Sequence, residues 1–153
     1  MGCDIHVHTE VKIDNTWHHY NNPNVSRNYL LFTHMGLTTR VHSDFIDQPI
    51  TKTSVPMPYD ASLITRLDWQ KWHGDAHSLG VFYHKEIMEL EDRWKEIKER
   101  VDWKPERYTF IESQFGYFFS NGWGDKWRYP DVEYTLQQYA EIQDVRWIFW
   151  FDN

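Results

Sequence analysis

Cysteine is almost missing from this chain: Cys3 is the only one in 153 residues. No intramolecular disulfide can form, which fits a reducing compartment. Long apolar runs are missing as well. None approaches the roughly 20 residues that a membrane helix needs, and the N-terminus shows no secretory pattern but runs straight into a polar-faced strand. The expected location is therefore cytoplasmic, with no membrane partner. Gly2 fails the myristoylation pattern, because His6 stands where Ser or Thr is required. Basic residues are outnumbered, 16 Lys and Arg against 23 Asp and Glu, for a net charge of −7. That balance opposes a long nucleic acid as the main partner, since such surfaces need a basic footprint. A small anionic ligand stays open, because a pocket needs only two or three well-placed donors. Also absent are the Cys-x-x-Cys pair, the Walker loop, the nucleophile elbow and the dinucleotide fingerprint.

What the chain has in plenty is aromatic side chains, 18% of residues, with nine each of Trp, Tyr and Phe. Rings in that number fill a core or line a ligand pocket, and composition leaves both readings open. The length suits one domain with a proper core and no staples.

The most informative stretch is Asp4 to Ile13. Side chains of a strand alternate between faces, so Cys3, Ile5, Val7, Thr9, Val11 and Ile13 fall on one side. Asp4, His6, His8, Glu10 and Lys12 fall on the other. Two imidazoles and two carboxylates in a row offer metal ligation or proton transfer near neutral pH. The plainer reading is a wet strand face at a sheet edge. Asp14-Asn15-Thr16 is a turn, and Trp17 to Tyr20 returns as a second strand. Ser26 is placed to cap a short helix carrying Leu30, Leu31, Phe32 and Met35, with Gly36 at its C′ position. From Val41 to Asp60 the pattern dissolves around Pro49, Pro56 and Pro58 into a long loop.

The segment Trp69 to Ser78 is polar, aromatic and histidine-rich together. Ile87, Leu90, Trp94, Ile97 and Val101 then mark the apolar stripe of a helix ending before Pro105. Tyr108 to Ser120 reads as a strand or hairpin, Asn121 to Asp125 as a turn, and Asp131 as the cap of a last helix. Val145 to Phe151 is apolar on both faces and so belongs at the centre of a sheet. The expected fold is α+β: a single domain, 1–153, whose first and last strands share a mostly antiparallel sheet packed by the Ile87–Val101 helix.

The candidate site takes His6 and His8 from the first strand, with Asp4 and Glu10 beside them, and completes it with Asp75 and His77. Asp4, His6 and His8 would hold a divalent ion such as zinc, manganese or iron, or the histidines would exchange protons directly. The His73–Ser78 segment that supplies Asp75 and His77 has an alternative reading as a turn whose Asp75 and Ser78 bond their own backbone. Arg27, Arg40 and Arg66 could grip a phosphate, against the plainer reading of surface charge. Trp69, Trp72, Trp123 and Trp127 sit beside Gly, Asp and His, where stacking on a base would contribute about 1–3 kcal/mol each. Core or interface packing is their other use. Self-association into a homo-oligomer is compatible with all of this.

Four segments in order carry a resemblance: Met1-Gly2-Cys3-Asp4-Ile5-His6, Ser26 to Phe32, Asp75-Ala76-His77-Ser78, and Val145 to Asn153. Together they resemble a group of small uncharacterised phage and bacterial proteins. The resemblance implies a phage-type accessory protein working inside a bacterial cell. Asp4-x-His6-x-His8-Thr9 is also similar to the first-strand metal motif of the amidohydrolase and polymerase-and-histidinol-phosphatase superfamilies. Their (β/α) barrel does not follow, because the alternating units are missing here. The functional expectation is a hydrolase of a phosphodiester or nucleotide-like small molecule, in a counter-defence role against a cyclic nucleotide immune signal. Its rivals are a protein that sequesters such a nucleotide unchanged and a structural or interaction protein with a His-rich face.

Overall fold

Alternation of apolar and polar residues over ten positions makes Asp4–Ile13 the first strand, β1. Asp14 and Asn15 then both adopt positive φ, 49° and 61°, the mirror-type two-residue turn that matches strand twist. The chain returns antiparallel as β2, Thr16–Asn21. The computed structural model describes residues 2–23, 25, 27, 29–37, 49–50, 52–100 and 143–153. A short helix, α1 (Tyr29–His34), is closed by Gly36 at φ 110°. Two further helices follow, α2 (Leu63–Lys71) and α3 (His84–Arg100), separated by the strand β3 (Ala76–Tyr83). The last strand, β4, is Asp144–Asp152.

The four strands form one antiparallel sheet in the order β2-β1-β4-β3. The N- and C-terminal strands are thus neighbours, with Asp4 opposite Asp152 and Val11 opposite Val145. β4 lies between β1 and β3, and every residue from Val145 to Asp152 is buried. An apolar run has this outcome because a central strand with both faces covered has no solvent side to offer a polar residue.

The two faces are unlike. On one, Ile5, Val7 and Val11 of β1 join Val145, Trp147, Phe149 and Phe151 of β4. Leu31, Phe32 and Met35 from α1 and Ile87 and Leu90 from α3 close over them. Cys3 belongs to this cluster, a small apolar filler. Burial on this scale stabilises at about 25 cal/mol per Å² of apolar surface. On the other face, Ile148 and Trp150 pack against Ala61, Leu79, Val55, Met57, Trp69 and Trp72. This second layer is built from α2 and the irregular chain before it, tied to the sheet by Val55 N–H donating to the Leu79 carbonyl at 3.2 Å. The Asp4–Glu10 face is therefore covered in part by α2 instead of standing open.

Several expectations lie outside the described residues: the Ser26 cap, the loop from Val41 to Gln48, the strand or hairpin at Tyr108–Ser120, the Asn121–Asp125 turn and the helix capped by Asp131. Trp94, Ile97 and Val101 of the α3 stripe likewise lie outside the described side chains. No helix among the described residues is long and apolar enough to cross a membrane.

Gly80 marks the tightest packing in the sheet. It sits opposite Phe149, and a Cβ there would come within 2.8 Å of Cε2 and closer still to Cζ of that ring. The ring cannot swing aside, because Phe82 and Phe151 meet it edge-on at 5.1 and 6.0 Å. Gly80→Ala is expected to lower stability by about 1–3 kcal/mol through overpacking. Urea unfolding measures this as a lower midpoint at unchanged slope.

Candidate functional site

The alternation of β1 delivers Asp4, His6, His8 and Glu10 to the α2 side of the sheet. Cross-strand pairing then sets Asp152, Trp150, Ile148 and Arg146 of β4 beside them in register. Glu10 is the deepest of the row, with no exposed surface. Its Oε1 accepts from Nε and Nη2 of Arg146 at 3.0 and 2.8 Å. Oε2 accepts from the Ser62 N–H and the Thr65 hydroxyl, both at 2.8 Å. Arg146 spends its remaining nitrogen on Asp60 at 3.0 Å, and its guanidinium lies 4.0 Å from the Trp17 ring centre. A buried charge needs this full set of partners. Burial pushes the Glu10 carboxyl up, but the bonds from Ser62, Thr65 and Arg146 outweigh it and hold it below its usual range.

The same contacts position α2. Ser62 caps it, with Oγ accepting from the Thr65 N–H at 3.4 Å. Thr65 is the helix residue that is fully buried against the sheet. Asp68 follows three residues later on the same side of the helix, and its carboxylate meets His8 Nε2 at 2.6 Å. His8 is 1% exposed, and desolvation lowers its pKa despite the attraction of Asp68. It is therefore neutral, donating from Nε2 to Asp68 while Nδ1 accepts from the Asn22 amide at 3.1 Å.

His6 stands two residues earlier and nearer to solvent. Its Nε2 lies 2.6 Å from Asp152 Oδ2, with the imidazole 23% exposed and the aspartate side chain 11%. Trp150 stacks on both imidazoles, at 5.8 Å from His6 and 5.1 Å from His8, with ring planes within about 22°. Trp72 packs on His6 at 4.3 Å. β2 pairs with β1 only from Thr9 onward, so the Asp4–His8 half of β1 has no strand on that side among the described residues. A cleft of about 410 Å³ opens there, lined by Asp4, Ile5, His6, Val7, Asn22, Pro23, Val25, Arg27 and Asp68. Arg27 crosses it with a bidentate contact to Asp4, both bonds at 3.0 Å.

His6 and His8 thus share a face, and Asp4, Arg27 and Trp72 stand beside them. Asp75 and His77 are not brought to the histidines. Asp75 is exposed in the turn after α2. His77 pairs with Phe151 and packs on its ring at 6.3 Å, on the opposite face of the sheet, with Nδ1 against the Ser78 hydroxyl. The bulge between His77 and Gly80 and the positive φ of Ser78 lie just beyond it. Arg66 is turned inward, donating to the Ala61 carbonyl at 2.9 Å. Trp69 packs edge-on against Trp150 at 5.3 Å. Arg40, Trp123 and Trp127 lie outside the described residues.

A metal ion of the kind the His-x-His motif implies does not fit the donors as arranged. Asp4 is paired with Arg27, His6 with Asp152, and His8 with Asp68 and Asn22. Among the described residues no group of three His, Cys, Asp or Glu is placed to hold an ion. The partners that matter instead, Asp68, Asp152, Asn22 and Trp150, did not stand out in the sequence. The one available signal was that Asp152 directly follows Val145–Phe151, the strand expected beside β1.

The acid limb of stability follows from these burials. Folded His8 binds its proton more weakly than the unfolded chain, whose value is 6.5. Below that value the unfolded state holds more protons, so stability falls as pH drops. Glu10 titrates below its unfolded 4.5, so it adds a second loss as pH falls beneath that value. The free energy of unfolding, from urea titrations between about pH 4 and 8, should fall as pH drops through about 6.5 and fall again below about 4.5. His8→Gln should abolish the upper step and keep the lower. A wild-type curve level from 7 to 5 would contradict a neutral, buried His8.

No protein family, no curated protein and no solved structure matches the chain.

Proposed function

We propose that this chain is a hydrolase that works by general acid–base proton transfer on a phosphodiester or nucleotide-like small molecule. One observation carries the proposal: an imidazole held by a carboxylate on one nitrogen lines a ligand-sized cleft. Asp152 on Nε2 fixes the tautomer and the ring orientation, leaving Nδ1 of His6 to take or give a proton. Trp72 and Trp150 hold the ring from its faces. Arg27, 46% exposed in its pair with Asp4, is the cation at the cleft able to meet an anionic oxygen. Asp68 presents a second carboxylate to the cleft and is braced by neutral His8. The counter-defence setting rests on the resemblance of the chain's segments to phage proteins, and a cyclic nucleotide signal is the substrate proposed within it.

A second reading is sequestration without turnover, favoured by the indole of Trp72 beside the cleft residue His6, a platform on which a base can stack. One experiment separates the two. The protein is incubated with a panel of cyclic and linear dinucleotides, heat-denatured, and the released nucleotide is identified by chromatography. A hydrolase returns opened or cleaved product, and His6→Gln should reduce its formation by at least ~10²-fold with an unchanged circular dichroism spectrum. Tight binding with quantitative recovery of intact ligand would overturn hydrolysis for those substrates and establish sequestration.

A further inference from the structure

The helix α2 is inverted. Toward the sheet it turns Thr65, Asp68 and Trp69, whereas Leu63, Ile64 and Leu67 are 71%, 55% and 54% exposed. Tyr59, just ahead of the helix, is 90% exposed. Leu63 and Leu67 are one turn apart with Ile64 beside them, so the three form a single aliphatic stripe. Single exposed leucines are ordinary in proteins, but a contiguous stripe marks a contact surface. None of the three lines the cleft.

We propose that this stripe is the contact surface for a second copy of the chain, two α2 helices packing antiparallel across a two-fold axis. Charge at the two ends of the stripe selects a second copy as the occupant. Lys71 is exposed at the C-terminal end and has no ion pair among the described residues. Asp60, ahead of the N-terminal end, is 38% exposed, and its one contact among the described residues is Oδ1 to Arg146. An antiparallel pair that sets Ile64 against its partner's Leu67 brings Lys71 to the partner's Asp60, and the two-fold axis repeats the contact. The helix dipoles also run in opposite directions in such a pair. A nine-residue helix with one tyrosine supplies much less than the about 800 Å² per partner of a stable complex. The dimer is accordingly weak and reversible.

Sedimentation velocity on the intact protein from about 1 to 200 μM, a range suited to weak association, tests this. The weight-average mass should climb from that of one chain toward that of two. Leu67→Lys should remain monomeric throughout with an unchanged melting temperature, since the side chain is exposed, and Ile64→Lys serves as a second variant with the same expectation. Lys71→Glu, which sets two carboxylates together, should weaken the dimer about tenfold, as expected of a close charge pair. A wild-type protein that stays monomeric across the range overturns the proposal. So does a dimer that survives both Leu67→Lys and Ile64→Lys.

Discussion

The buried ion pair between Glu10 and Arg146 is the contact from which the α2 side of the molecule is suspended. Taking two charges out of water costs several kcal/mol per ion, and their attraction offsets this only when every remaining donor and acceptor is matched. Here they are matched. Both Glu10 oxygens accept two bonds each, and Arg146 reaches Asp60 and rests on Trp17. Two of those four bonds come from Ser62 and Thr65, at the cap and first turn of α2. The helix is thus fixed at its N-terminal end by an electrostatic network, and Asp68 lands on His8 one turn further along. An apolar interface of the same area would hold the helix as firmly but would tolerate sliding. Directional bonds to one carboxylate do not.

Much of the sheet could be read from the sequence because its strands obey simple periodicities. The ten-residue alternation of β1 and the two-faced apolar run of β4 placed both strands and their adjacency, and the Ile87–Leu90 portion of α3 followed from its spacing. α2 could not be read in that way. Periodicity arguments assume that a helix turns its apolar residues inward, and this one turns Leu63, Ile64 and Leu67 outward. Its inward side carries Thr65 and Asp68 because the part of the sheet that they cover presents Glu10 and His8. Two unusual faces compensate each other in space, and neither announces the other along the chain.

The site shows the same limit. His6 and His8 were visible as a pair from their i, i+2 spacing, yet their partners lie 146 and 60 residues away. His77 was misplaced for a related reason. It looks like a companion of the N-terminal histidines by residue type, but its register opposite Phe151 turns it to the apolar face. Residue type proposes membership of a site, whereas strand register decides it.

The two histidines differ because β2 stops short. Pairing with β2 stops at Thr9, but His19 of β2 and Asn22 just beyond the strand reach over His8, which is sealed, neutral and fixed between Asp68 and Asn22; His6, two residues further out, retains surface and faces a cleft. One strand face thereby holds two His–Asp pairs of equal length, 2.6 Å each, in different surroundings. In the His8 pair the imidazole itself is sealed, 1% exposed, and only its partner Asp68 reaches the cleft, so His8 serves as scaffold. In the His6 pair the imidazole itself retains surface, and a general acid or base must be reachable as well as oriented. The point at which β2 ends therefore determines which of two chemically identical side chains is available for chemistry.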